Sequence, residues 1–339
     1  MKYKPLGNTG LLVSEFCLGT MTFGGKNDPM SSLMGALELR EASKIIEEAL
    51  EAGINFIDTA NVYGLGESEE IIGETLKQKR HDVVIATKVG FRMGSGANQV
   101  GLSRKHIIRE VEESLRRLQT DYIDLLQIHR PDSLTEWEEI LRVLDDLVTS
   151  GKVRYTGASN LQGWQIMKAN ETSSRLGLGR FKSFQSYYSL VGREAEREII
   201  PVIKDQNMGL LIWSPLAGGF LTGKYVKGTE GVADGRRMKF QFPPVHVEKG
   251  YEILGVLEHI AQFHQSTVPQ IALAWLLHQP AVTSVILGAK RPEQLRENLG
   301  AADIVLTNDQ LLQIDEVSKL QPEYPLWDPT AYTADRYPI

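Results

Sequence analysis

The sequence carries a single cysteine, Cys17, so no intrachain disulfide can form, which suits a reducing compartment such as the cytoplasm. It has no run of 18 apolar residues, and its start, MKYKPLGNTG, has no apolar signal region; neither a spanning helix nor an export leader is expected. An excess of basic residues is also missing. Against 37 Lys and Arg stand 43 Asp and Glu, and a net charge of −6 gives no electrostatic reason to expect nucleic acid or an anionic membrane as partner. Low-complexity and linker-like segments are absent, so one domain over residues 1–339 is expected, with 42% hydrophobic residues to fill its core.

Several chemical motifs are missing too. There is no H-E-x-x-H, since His259 and His264 lie five apart, off a common helical face. GASNL (157–161) lacks the second glycine of a nucleophile elbow. Gly64 and Gly66 have no third member of a G-x-G-x-x-G. One match needs weighing: Gly218, Gly223 and Lys224 fit the P-loop spacing G-x-x-x-x-G-K after an apolar run. Tyr225 then stands where a magnesium-binding Ser or Thr belongs, and Pro215 delays any helix. Nucleotide hydrolysis is therefore disfavoured.

What is present is alternation. Eight apolar or β-branched runs read as strands: EFCLGT (15–20), INFIDTA (54–60), DVVIATKV (82–89), YIDLLQIH (122–129), VRYTGAS (153–159), FKSFQSYY (181–188), MGLLIWS (208–214) and VTSVIL (282–287). Helix candidates begin near Leu39, Glu67, Ser103, Thr135, Leu161, Arg193, Pro269 and Pro292. After Ser103, the residues Ile107, Ile108, Val111, Leu115 and Leu118 make one apolar stripe. Thr135 with Glu138, and Thr307 with Gln310, have capping-box spacing. Eight strand-helix repeats leave an open doubly wound sheet or a closed barrel; eight is the number at which a parallel sheet closes, so an α/β fold of the (β/α)8 (TIM barrel) type is expected. A leading hairpin around Asn8-Thr9-Gly10 would lie across the barrel bottom. Two long connections, 24–38 and 225–250, and an aromatic tail from Gln321 to Ile339 break the rhythm.

In such a barrel, chemistry gathers at the C-terminal strand ends. Read in order, these give Asp58, with Tyr63 five residues later, then Lys88, then His129. Singly, each has an ordinary explanation: a helix cap, a solvated lysine, a structural histidine. Together they would share one mouth, where a lysine and an aspartate are costly unless paired. The set suits proton transfer to a developing alkoxide. A phenol titrates near ~10; a neighbouring ammonium lowers that value, and a carboxylate anchors the ammonium. A hydride must then come from a cofactor.

Five segments carry a resemblance: DTANVYG (58–64), ATKVG (86–90), LLQIHRPD (125–132), GASN (157–160) and ILGAKRPEQLRENLGA (286–301). In this order they resemble the aldo-keto reductase family, over nearly the whole chain. The resemblance implies a TIM barrel and NADP(H)-dependent reduction of a small-molecule carbonyl, reversible toward the alcohol. It implies Tyr63 as proton donor, Lys88 tuning it, Asp58 holding Lys88, and His129 orienting the carbonyl. A cofactor set is implied at Gly19, Thr20, Met21, Asp58, Ser159, Asn160, Gln185, Trp213, Ser214, Pro215, Leu216, Gly218, Gly219, Lys224, Gly288, Lys290, Arg291, Gln294, Glu297 and Asn298. Phe23 and Phe91, with Tyr63 and His129, would meet substrate; Arg92 and the aromatic tail are further candidates to line the pocket, with surface packing or a subunit contact the alternative for the tail. Potassium-channel β subunits resemble the same family, so a cofactor-bound regulatory subunit is the alternative.

Overall fold

A computed structural model of the chain describes residues 1–26, 35–225, 237, 240–324 and 327. Parts of both long connections and most of the tail therefore lie outside the described residues. Strands β1 (Tyr3–Pro5) and β2 (Leu12–Ser14) pair antiparallel as the expected hairpin. Eight parallel strands follow: β3 (Phe16–Gly19), β4 (Phe56–Asp58), β5 (Val84–Val89), β6 (Ile123–Ile128), β7 (Val153–Ser159), β8 (Ser183–Tyr187), β9 (Gly209–Trp213) and β10 (Val282–Gly288). β10 closes on β3, so the (β/α)8 barrel is the observed fold.

The pleat sets what faces inward. Side chains alternate along a strand, and Cys17, Phe56, Val84, Ala86, Leu125, Leu211 and Ile286 pack together as the interior cluster. Their neighbours Phe16, Leu18, Ile57, Ile85, Leu126, Leu210 and Ile212 join the larger core under the helices. Counting up by two from the interior residues reaches Asp58, Lys88, Gln127 and Trp213. The hairpin closes the other end: Leu6 and Val13 are fully buried in the interior cluster, and Lys4 Nζ donates to Val282 O (2.8 Å).

The helices around the barrel include α1 (Leu39–Glu51), α2 (Glu67–Leu76), α3 (Arg104–Leu118), α4 (Trp137–Thr149), α5 (Gly163–Leu176) and α6 (Ile199–Asp205). They continue with α7 (Val247–Phe263), α8 (Val268–Leu277), α9 (Pro292–Leu299) and α10 (Asn308–Ser318). In α3 the expected stripe is buried at Ile107, Val111, Leu115 and Leu118 and half-buried at Ile108, and Ser103 caps the first turn. The box at Thr307 and Gln310 is formed. The one proposed at Thr135 is not. Glu136 is the N-cap of α4, and the Thr135 hydroxyl donates to Asp132 instead (2.7 Å), because that carboxylate already gathers the amides of Leu102 and Leu134. No helix was expected where α7 lies. Its buried face, Ile253, Leu254, Leu257 and Ile260, has helical spacing, but Gly250 and Gly255 interrupt the sequence pattern. Gly250 is needed for contact: a Cβ there would lie 2.4 Å from the Phe220 ring.

Candidate active site

The strand ends meet at one mouth. Gly288 pairs with Gly19, Gly19 with Asp58, Asp58 with Ala86, and Lys88 with Gln127. Lys88 is fully buried, and its ammonium has three partners: Asp58 Oδ2 (2.5 Å), Thr59 O (2.8 Å) and the Tyr63 hydroxyl (3.3 Å). The other Asp58 oxygen accepts from Gln185 Nε2 (2.7 Å) and Gln127 Nε2 (3.1 Å). A buried carboxylate thus has one cation and two amide donors, the satisfaction that a buried ion pair requires.

Tyr63 enters from the loop after β4, in a 3-10 turn with left-handed Gly64 and Leu65. Its ring meets His129 edge to face, with centroids 5.9 Å apart. Burial pushes the Tyr63 phenol above its ordinary value; Lys88 pulls it down and Asp58 pushes it up. Burial outweighs Lys88, so the hydroxyl holds its proton at neutral pH. For Lys88, burial favours the neutral amine, but Asp58 and Tyr63 together raise its pKa above the usual lysine value. The ammonium stays charged. Burial, then Lys88 and Arg130, push His129 well below the usual imidazole range, so it is neutral. Its Nδ1 has no hydrogen-bond partner among the described residues. Phe91 packs edge to face on His129 at 4.5 Å, with Arg130 over its own face at 4.4 Å.

The other expected positions fall around this centre. Ser159 Oγ donates to Gln185 O (3.0 Å), and Asn160 Nδ2 donates to His129 O (2.9 Å). Gln185 turns its amide to Asp58. Thr20 is buried and donates to Asp58 O (3.1 Å); Met21 is half-buried, whereas Phe23 is fully buried in the outer core. Arg92 is exposed and donates to Gly94 O (2.9 Å). Trp213 lies between Tyr187 (5.1 Å, tilted) and Phe242 (5.7 Å, stacked), with its Nε1 buried and unpartnered among the described residues.

The loop after β9 is no P-loop. Ser214 and Ala217 are left-handed, Pro215 and Leu216 lie between them, and Ala217–Thr222 form a kinked 3-10 turn. Lys224 is exposed, and neither it nor Tyr225 lies in a helix. Gly219 faces open space, while a Cβ on Gly218 would strike Phe242 O at 2.4 Å. Beyond β10, α9 opens with Pro292, and Arg291 is an N-cap without a side-chain cap bond. Gln294 accepts from the Lys290 amide (3.0 Å), Glu297 O accepts from Gln270 (2.7 Å), and Asn298 is buried. Gln127 did not figure among the expected site residues. Its signal was there, two residues after the inward-facing Leu125 on β6 and so on the same face.

Comparison with known proteins shows the family. The model of the Aldo/keto reductase family matches residues 15–319. An uncharacterized oxidoreductase of Bacillus subtilis (strain 168) is 38% identical over 328 residues, covering 94% of this chain and 96% of its own. A probable voltage-gated potassium channel subunit beta of Arabidopsis thaliana is 37% identical, covering 96% and 99%. A versiconal hemiacetal acetate reductase of Aspergillus parasiticus is 35% identical, covering 93% and 96%. Among the described residues, no helix is long and apolar enough to cross a membrane. With a closed eight-stranded barrel, a Lys88 shared by Asp58 and Tyr63, and a family match over nearly its whole length, the chain belongs to the aldo/keto reductase family.

Proposed function

We propose that this protein uses NADPH to reduce aldehyde and ketone carbonyls to alcohols, and NADP for the reverse oxidation, with Tyr63 as the proton donor. The observation that carries this reading is the buried Lys88 ammonium in contact with both Asp58 and the Tyr63 hydroxyl. The residues present fit a nicotinamide dinucleotide. Gly219 leaves open space beside the backbone, Trp213 offers a half-buried ring, and the uncapped start of α9 carries Lys290 and Arg291. Ser159, Asn160 and Gln185 would hold the nicotinamide amide, the 214–219 turn with Lys224 the pyrophosphate, and Lys290 with Arg291 a 2′-phosphate. When bound, the cofactor supplies the hydride.

The chain's own residues do the rest. Neutral His129 and the Tyr63 hydroxyl orient and polarise the carbonyl oxygen. As negative charge develops there, Tyr63 Oη gives up its proton, and the Lys88 ammonium stabilises the phenolate left behind. Asp58 keeps that ammonium in place, and Gln127 and Gln185 keep Asp58 in place. Phe91 narrows the mouth against His129. The single buried Cys17 is in keeping with a cytoplasmic setting.

The test is a panel of aldehydes, ketones and alcohols with NADPH or NADP, followed by reduced-nicotinamide absorbance. Turnover of any carbonyl that is lost in Tyr63→Phe supports the reading. The similarity to a potassium channel subunit beta favours a second one, a cofactor-bound regulatory subunit. Tight NADPH binding without turnover across the panel would select it.

A further inference from the structure

Tyr63 sits on a loop, and a loop alone does not fix a hydroxyl against an ammonium. One buried polar contact beneath this loop has no part in the chemistry above. Asn61, between Asp58 and Tyr63 in sequence, is fully buried. Its backbone amide donates to Lys88 O (3.2 Å), which ties the loop to β5. Its side-chain Nδ2 donates to Glu110 Oε2 (3.0 Å), on α3, 49 residues along the chain. Glu110 is itself 3% exposed, and Asn61 is the one hydrogen-bond donor its carboxylate has among the described residues. His106 Nδ1 stands 3.8 Å from Glu110 Oε1, beyond hydrogen-bond distance, and neither nitrogen of that fully buried ring has a hydrogen-bond partner among the described residues. A carboxylate so placed depends on its single donor, because leaving it bare in the interior is costly.

We propose that Asn61 and Glu110 are positioning residues, which set the Tyr63 hydroxyl against Lys88 by clamping the 58–63 loop between β5 and α3. Through its backbone, Asn61 reaches the strand that carries Lys88; through its side chain, it reaches the helix outside the barrel. The Tyr63 amide continues the turn to Ala60 O (3.1 Å), so the phenol follows wherever Asn61 is held. The proposal rests on the reading of Tyr63 as proton donor.

Asn61→Asp sets a carboxylate against the Glu110 carboxylate and should open the clamp. Asn61→Asp with Glu110→Gln restores an amide-to-carboxylate bond with the roles exchanged. Glu110→Leu removes the acceptor without adding charge, in case the first variant does not fold. Two readouts are needed. With the best carbonyl of the panel, kcat should fall on the order of 10–100-fold in Asn61→Asp and Glu110→Leu, as a displacement of about 1 Å would produce. The NADPH dissociation constant should hold, and the double variant should recover to within a few-fold of the unmodified rate. Separately, with 3-fluorotyrosine in place of tyrosine, the fluorine resonance lost in Tyr63→Phe should shift in both single variants and return in the double. Folded single variants with unmoved resonance and unchanged kcat would overturn the proposal, as would lower thermal stability alone. If the unmodified protein reduces no carbonyl, the functional reading fails, and the fluorine spectra still decide whether Asn61 and Glu110 place Tyr63.

Discussion

Lys88→Met removes the ammonium and keeps the stem. In the folded protein Lys88 is fully buried and 2.5 Å from Asp58, so the variant leaves a carboxylate in the interior without its cation. Removing one partner of a buried pair costs about 3–5 kcal/mol. The lower end, about 3 kcal/mol, is expected here, because Gln185 and Gln127 still donate to Asp58. Thr59 O also loses its donor. Lys88→Met with Asp58→Asn removes both charges, and the two glutamine amides can still donate to the carbonyl oxygen of the introduced asparagine. The double variant should therefore recover most of the lost stability, to within about 1–1.5 kcal/mol of the unmodified protein. Carbonyl reduction should behave otherwise. Both variants lack the charge that stabilises a Tyr63 phenolate, so kcat should stay about 10²–10⁴-fold down in each. Urea denaturation at constant m gives the stabilities, and nicotinamide absorbance gives the rates. A loss under about 1 kcal/mol in Lys88→Met would refute the buried-pair reasoning. So would a double variant no more stable than the single, and near-normal turnover in either would refute the role given to the ammonium.

Three further outcomes are expected. Tyr63→Phe should abolish carbonyl reduction while changing stability by less than about 1 kcal/mol, since only a 3.3 Å contact to Lys88 is lost; fluorescence titration should give an unchanged NADPH dissociation constant. His129 has a depressed pKa in the fold, so below the ordinary imidazole value near ~6.5 the unfolded chain binds the proton first and stability falls with pH. The unmodified protein should lose up to about 1.4 kcal/mol per pH unit more than His129→Gln over that range, and an equal loss of unfolding free energy in the two proteins between pH 7 and pH 5 would contradict this. Replacing Lys290 and Arg291 by Ala should weaken NADPH by roughly 1.5–3 kcal/mol per lost contact and NADH little; calorimetry showing equal affinities of the unmodified protein for both cofactors would remove the phosphate role at α9.

The alternation of runs in the chain was enough to point to a closed barrel and to most of the polar groups at its mouth. Eight apolar runs separated by helical stripes leave few ways to bury both sides of a parallel sheet, and polar residues closing those runs stand at one end by necessity. Asp58, Lys88 and His129 were legible for that reason; Tyr63, on the loop after β4, followed from its place five residues past Asp58 and from the family resemblance. Other features needed the tertiary structure. That Asp58 collects Gln127 and Gln185 as well as Lys88 depends on four strands, β4, β5, β6 and β8, converging, with the two glutamines 69 and 127 residues away in the chain. The clamp from Asn61 to Glu110 depends on how α3 packs against the barrel. The sign of the Tyr63 shift was decided there too: Lys88 alone argues for a lowered pKa, yet burial of the phenol raises it. Local pattern reports which face of an element is apolar, whereas desolvation and long-range hydrogen bonds depend on what surrounds a group once every element has closed around it.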